Sequence, residues 1–382
     1  MERRKLLLVT TTSETFATIL QGQPGYLSAF FDVAICCSPD SHFDALSEDG
    51  AVSVFPVDMT RGIGPLHDIA SIAGMIKVIR AFKPDIVHSY TPKAGLVAMV
   101  ASWICRVPVR IHTFTGLIFP SVSGLRRKLF ISVDSLIARL ATDVVPESQG
   151  VRKDLYEHHI TDERADVIGH GNIAGVDTAH FSPGRPDISS EAKKIKSTIL
   201  RNSKFNFCYV GRINRDKGIN ELAYAFGKLP PDAALVVVGE LDETAPPEPG
   251  VLERLEADPR VHLMGFQKDV RPFILACDVL VLPSYREGFP NVVLQALSLE
   301  KPVIVTDVSG ANEITISGRN GWIVPVKNSK ALLKAMKEAL RSSPEKRTLM
   351  GRRGRRLVLS RHERSFYMKC LCEFYDSLYK PD

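Results

Sequence analysis

Apolar residues along this chain come in two rhythms. Short β-branched runs read as strands: KLLLVT (5–10), DVAICC (32–37), VSVFPV (52–57), DIVHSY (85–90) and VRIHTF (109–114). Between them, residues 66–82 and 92–105 carry apolar positions at helical spacing, and KPD and RVP mark turns. The alternation pauses over GHGNIAGVDTAHFSPGRPD (169–187), where Gly, Pro and Asp accumulate as in a linker. It resumes with FNFCYVGR (205–212), ALVVVGE (234–240), VHLMGF (261–266), DVLVLPS (278–284) and PVIVTD (302–307). Strand–helix alternation of this kind predicts βαβ units and parallel sheets, here two in succession. The expected domains are 1–180 and 181–361, with an amphipathic helix at 362–382 completing the first. Ligands of such sheets collect at the carboxyl ends of the strands, so a cleft between two lobes is the expected site.

Composition narrows the class. A chain of 382 residues is too long for one ordinary core, and 45% apolar with 24% charged residues is a globular balance. The net charge of +6 suits an anionic ligand or membrane surface and is too diffuse to argue nucleic acid. Seven scattered cysteines without a C-x-x-C spacing read as reduced thiols. The basic start MERRKLLLVTTTSETF has an apolar run too short for a secretory segment, and AGLVAMVASWIC (94–105) is too short to span a bilayer. The expectation is a cytoplasmic protein, soluble or peripheral at the inner face of the membrane.

Two stretches stand out chemically. In YVGRINRDKG (209–218) a strand ends at Gly211 and is followed by Arg212 and Lys217, just before the helical segment INELAYAFGKL; two cations at that place suit a phosphate or diphosphate. A solvated charged loop explains the same residues equally well. No P-loop or G-x-G-x-x-G fingerprint is present. In REGFPNVVLQA (286–296), Pro290 fits the first helical position, which would leave the N–H groups of Asn291, Val292 and Val293 as donors for an anion. Glu287, in the turn, suits neutral hydroxyls, and Gln295 lies one helical turn beyond Asn291 on the same side.

These pieces resemble a retaining glycosyltransferase of the two-lobed GT-B fold, in the large family 4 group. VGRINRDKG, GFQKDV, SYREGFPNVVLQA and TDVSGANEI match in the second lobe and VHSYTPKAG and IHTFTG in the first, in family order over nearly the whole chain. The resemblance implies an α/β fold of two Rossmann-like domains facing each other across a cleft. It is strongest to bacterial enzymes of capsule, O-antigen or glycan assembly on a polyprenyl diphosphate carrier.

Carried over residue by residue, the resemblance implies that Arg212 and Lys217 grip the donor diphosphate and stabilise the leaving nucleotide. Glu287 would contact the donor sugar. Gln295, standing where the family has a second acid, would hold the ribose, and Gly265 and Phe266 would line the base pocket. His112, followed by Thr113 and Thr115-Gly116, matches a histidine near the donor sugar; His88, with Lys93 after it, is open between structure and function. Gly310 and Glu313 match a loop approaching the diphosphate or sugar, with structure and function equally balanced. Where many relatives have glycines after the first strand this chain has TTTSET (10–15), so Thr12 and Ser13 would supply hydrogen bonds while close backbone approach is lost.

No Asp-x-Asp triplet occurs, and no metal or other cofactor is expected beyond a nucleotide-sugar donor, most simply a UDP-sugar. The implied acceptor is a polyprenyl-diphosphate-linked saccharide. SGLRRKLFISVDSLIARLA (123–141) would rest on an anionic bilayer through Arg126, Arg127 and Lys128, or be a solvated helix face. Two other readings stay open: a sugar-nucleotide 2-epimerase on the same fold, and a nucleotide-sugar-binding subunit without activity.

Overall fold

The computed structural model describes residues 3–48, 50, 52–60, 62, 64–243 and 245–378. The chain forms two compact units, one of residues 1–175 with 365–382 and one of residues 176–364. The first unit holds a six-stranded parallel sheet ordered β3-β2-β1-β4-β5-β6: β1 (Lys5–Thr12), β2 (Asp32–Ser38), β3 (Ser53–Pro56), β4 (Ile86–Ser89), β5 (Val109–Phe114) and β6 (Asp143–Pro146). The second repeats the plan in the order β12-β11-β10-β7-β8-β9, from β7 (Phe205–Val210), β8 (Ala233–Val238), β9 (Val261–Leu263), β10 (Val279–Leu282), β11 (Val303–Thr306) and β12 (Gly321–Val324).

Both sheets are covered on two faces, which is why their strands are almost continuously apolar rather than alternating. Leu6, Leu7 and Leu8 in β1 are all fully buried, with Leu7 in one core layer and Leu6 and Leu8 in the other. The second unit divides its strands in the same way: Cys208 of β7 and Val236 of β8 enter one layer, Phe207 and Leu235 the other.

Several strands of the second unit stop short of their expected ends because a glycine turns the chain. Strand β7 ends at Val210, before Gly211 (φ 152°), β8 at Val238, before Gly239 (φ 142°), and β9 at Leu263, ahead of Gly265 (φ 63°). The chain passes between units at 175/176 and 364/365, where 180/181 and 361/362 were expected. There Val176 N–H donates to the His362 carbonyl (2.8 Å) and Arg364 N–H to the Val176 carbonyl (3.0 Å). The last helix runs Arg364–Ser377, and its Tyr367, Leu371 and Tyr375, spaced four apart, enter the first unit's core; Tyr379 and the residues after it lie outside the described residues. No helix among the described residues is long and apolar enough to cross a membrane.

Candidate active site

In the second unit the loops after β7 and β10 are built as one piece. Asn214 caps a single helical turn, Arg215–Lys217, by accepting from the Lys217 amide at 2.9 Å. Gly218 follows at φ 72°, and a Cβ there would lie 2.0 Å from the Pro283 carbonyl oxygen, so the β7 loop meets the β10 loop at a position only glycine fits. Tyr285 N–H then donates to the Asp216 carbonyl at 2.8 Å. Two successive ion pairs join the same loops: Asp216 with Arg286 at 3.3 Å, and Lys217 with Glu287 at 2.5 Å. Lys217 and Glu287 side chains are only 23% and 11% exposed, so this pair is far less screened than a surface pair. The Tyr285 hydroxyl donates to the Glu221 carboxylate at 2.8 Å; burial and this carboxylate raise its pKa.

Arg212 stands at the end of β7 with its side chain half exposed. Asp242, from the loop after β8, holds its Nη1 at 2.6 Å and also accepts from Asn214 Nδ2 at 3.0 Å. Both candidate phosphate-binding cations are therefore aimed by an acid from a neighbouring loop.

Helix Asn291–Ser298 corrects one expectation. Pro290 is the capping residue (φ −73°, ψ 108°), not the first helical one, so the helix starts one residue later. Val293 N–H already donates to the Pro290 carbonyl at 3.1 Å, which removes it from the expected group of anion donors. Asn291, Val292 and Gln295 are the partly exposed positions of this helix's first two turns, with Val293, Leu294 and Ala296 buried between them, so Asn291 and Gln295 do share a side. Gly310 (φ 71°) packs against the turn before that helix: an added Cβ would lie 2.3 Å from the Gly288 carbonyl oxygen. Glu313 accepts from the Gly310 amide at 3.2 Å, capping its own short helix. After β9, the Gly265 carbonyl accepts from Gly239 N–H at 2.8 Å, and Phe266 is 62% exposed, an aromatic face open to stacking.

The first unit gathers a different chemistry at the ends of β4 and β5. His112 is buried, edge-on to Phe114, and its Nδ1 lies 2.8 Å from the Ser89 hydroxyl. That hydroxyl donates to the Ile111 carbonyl (3.3 Å), so the imidazole Nδ1 carries the hydrogen and Nε2 is the acceptor. Burial pushes the His112 pKa down to about 3, partly opposed by a hydrogen bond with the Ser89 backbone, so the ring is neutral. Gly95, inside helix Pro92–Ile104, makes the room: a Cβ there would lie 2.4 Å from His112 Cε1. His88 is fully buried and bonded at both ring nitrogens, to Tyr375 and to Thr113, each at 2.7 Å, and burial lowers its pKa. Lys93 is paired with Asp68 at 2.5 Å.

At the end of β1, Ser13 directs both its hydroxyl and its N–H to Asp40, so neither is a spare donor; Thr12 lies beside Thr15, with the two hydroxyls 3.4 Å apart. In helix Gly124–Leu140, Arg126 and Lys128 point outward with Leu125 (84% exposed) and Leu129, but Arg127 turns back onto the Phe119 ring and donates to His158 Nε2 at 2.6 Å. The expected basic triad is thus a pair flanked by leucines.

Asp242, Glu221, Asp40 and Gly95 went unremarked in the sequence. The first three orient others and carry no motif. Gly95 left one trace, a glycine in the helix-forming run PKAGLVAMVAS, where it costs about 1 kcal/mol against alanine unless something must come close.

Two twisted parallel sheets with charged loops at the carboxyl ends of β7 and β10 define a class, and comparison with known proteins agrees with it. Residues 190–357 match the family described as Glycosyl transferases group 1, and residues 23–171 the Glycosyl transferase 4-like domain. The chain belongs to these glycosyltransferases, and its fold is GT-B. The capsular polysaccharide biosynthesis glycosyltransferase CapM of Staphylococcus aureus is 29% identical over 384 residues, covering 99% of this chain and 97% of that protein. The UDP-Gal:alpha-D-GlcNAc-diphosphoundecaprenol alpha-1,3-galactosyltransferase of Escherichia coli is 26% identical over 318 residues, 80% of this chain and 79% of its own. Among solved structures, Anabaena HepE in complex with UDP and glucose superposes with a TM-score of 0.82 at 21% identity, over 98% of this chain and 100% of that one.

Proposed function

We propose that this glycosyltransferase moves an N-acetylhexosamine-type sugar from a UDP donor to a polyprenyl-diphosphate-linked saccharide, retaining the anomeric configuration and using no metal, in the assembly of a surface polysaccharide. The observation that carries the reading is the joined pair of loops holding Arg212, Lys217 and Glu287 at the ends of β7 and β10. The lipid-linked acceptor is favoured by the Escherichia coli relative, whose name specifies a diphosphoundecaprenol, and the UDP of the donor by the same name's UDP-Gal; the N-acetylhexosamine is favoured by a Campylobacter jejuni relative named as an N-acetylgalactosaminyltransferase.

In this reading Arg212 and Lys217 leave Asp242 and Glu287 to bind the diphosphate, and their charge stabilises the negative charge that grows on the leaving UDP. Glu287, released from Lys217, accepts from sugar hydroxyls. Gln295 bonds the ribose, with Asn291 and Val292 beside it, and Phe266 after Gly265 stacks on the base. Gly310 sets the approach of its loop, with Glu313 capping it. His112, neutral, takes a hydroxyl hydrogen at Nε2; it is too weak a base to remove a proton. The acceptor oxygen attacks the anomeric carbon on the face the phosphate leaves. The C1–O bond to phosphate breaks as the new one forms, and the acceptor's proton passes to the departing phosphate oxygen. Arg126 and Lys128, between exposed Leu125 and Leu129, rest on the anionic inner leaflet that carries the acceptor.

The test is incubation of the purified protein, in the presence of EDTA, with UDP- and GDP-sugars and a lipid-linked acceptor, following nucleotide release, product mass and the product's anomeric coupling constant. Transfer from a UDP-sugar with retention is expected. Sugar interconversion without acceptor would point instead to an epimerase, and binding without turnover to an inactive subunit.

A further inference from the structure

A line of polar side chains crosses the apolar core of the first unit. The Gln23 amide donates to the Tyr90 hydroxyl at 2.9 Å, and the Tyr90 hydroxyl meets that of Tyr375 on the last helix. The Tyr375 hydroxyl lies 2.7 Å from His88 Nδ1, and His88 Nε2 lies 2.7 Å from the Thr113 hydroxyl. His88 also stacks on the Tyr90 ring at 4.3 Å and meets Tyr375 edge-on at 5.7 Å. All five residues are at most 1% exposed, and Leu6, Leu8, Ile86 and Ile111 belong to the same core layer.

The order of donors follows from the ends. Gln23 Nε2 can only donate, and the arrangement that gives each phenol hydrogen an acceptor within the line has Tyr90 donating to Tyr375 and Tyr375 to His88 Nδ1. A neutral His88 then carries its hydrogen on Nε2 and donates it to Thr113. The line ends beside His112. In the register of β4 with β5, Ser89 sits opposite His112. Consecutive residues of β4 thus grip consecutive residues of β5 from opposite faces of the sheet, Ser89 on His112 and His88 on Thr113. Packing alone does not ask for this. Apolar side chains would fill the same layer without desolvating five polar side chains and without leaving Gln23 Oε1 buried and unpartnered, whereas a hydrogen-bonded buried line fixes geometry.

We propose that Tyr375 is a positioning residue: acting through His88, 287 residues away in sequence, it holds Thr113, and with it the adjacent His112, in the orientation that sugar transfer requires, so that the last helix sets the geometry of the end of β5. The proposal rests on the reading of His112 as a contact to the reacting sugar. Tyr375 touches no substrate. Its effect belongs on turnover rather than on donor affinity.

The test measures steady-state transfer, UDP affinity and melting temperature for Tyr375→Phe, Thr113→Val and the double variant, with Thr113→Ser as the conservative control. Expected are roughly tenfold falls in kcat for each single variant, UDP affinity within twofold of the parent, and a double variant no worse than the poorer single, since both cut one line. Thr113→Ser keeps most activity. The 15N shifts of His88 should report the Nε2–H tautomer in the parent and lose that bias in Tyr375→Phe. A parent protein without transfer activity would sink the functional reading and this inference with it. An active parent whose Tyr375→Phe variant melts lower but turns over normally would overturn the inference alone.

Discussion

The strand ends of the two units are built in opposite ways. At β7 and β10 the groups are charged, partly exposed and paired in advance, Arg212 with Asp242 and Lys217 with Glu287. At β4 and β5 they are neutral, buried and held by hydroxyls, His88 by Tyr375 and Thr113 and His112 by Ser89. The first arrangement suits charge that must be met during a reaction; the second suits shape that must not change. Polar groups in a low-dielectric core hold direction well, but they cannot keep a charge there without a partner.

The largest expected effect breaks the charged side. Lys217→Ala, and separately Arg212→Ala, should lower kcat by at least about 100-fold, the loss seen when one preorganised stabiliser of transition-state charge is removed; single-turnover transfer at saturating donor checks it. Near-normal rates in either variant would remove the leaving-group role. Next, Gly218→Ala forces a left-handed backbone and a Cβ onto the Pro283 carbonyl, and should destabilise the second unit by about 2 kcal/mol or more, read by urea unfolding.

On the neutral side, Gly95→Ala pushes a methyl group into His112. It should reduce kcat about tenfold, an effect on orientation rather than charge. Because alanine is the better helix former, an unchanged rate together with a raised melting temperature would show that His112 moves aside freely.

Acid should separate the regions further. His88 and His112 stay neutral in the fold while their unfolded counterparts take a proton below about pH 6.5. The unfolded state then binds more protons, so stability falls as pH drops from there toward the folded value of about 3 for His112, by up to about 1.4 kcal/mol per pH unit for each ring. Asp134, buried in helix Gly124–Leu140, opposes this. Burial lifts its pKa to about 7, so between roughly pH 4 and 7 the folded state holds the extra proton and stability falls as pH rises. Asp134→Asn should therefore raise the melting temperature at pH 8 and leave a steeper loss on the acid side. A lower melting temperature at pH 8 would contradict the sign. Smallest of all, Gln295→Glu should tighten UDP binding by about 1 kcal/mol, the difference between a neutral and a charge-assisted hydrogen bond; calorimetry that sees no change would make Gln295 a packing residue.

The contrast also explains what was legible beforehand. The strands, their parallel order and the cations after β7 follow from local patterns: β-branched runs, glycines at strand ends, and a spacing shared with a large family. Pro290 misled by one residue, because proline suits a cap as well as a first turn. The neutral network was nearly invisible, since His88 and Tyr375 are brought together only by the return of the last helix to the first unit. Partners such as Asp242 and Asp40 orient a residue without resembling a motif, so nothing short of the fold identifies them.

Titration of UDP into matched variants tests the division of labour most directly. Lys217→Ala should bind UDP at least about tenfold more weakly, the loss of a charged hydrogen-bonding partner, while Gly95→Ala should bind it as tightly as the parent protein. The opposite ranking, with UDP affinity surviving Lys217→Ala and falling in Gly95→Ala, would contradict the assignment of the diphosphate to the charged loops of the second unit.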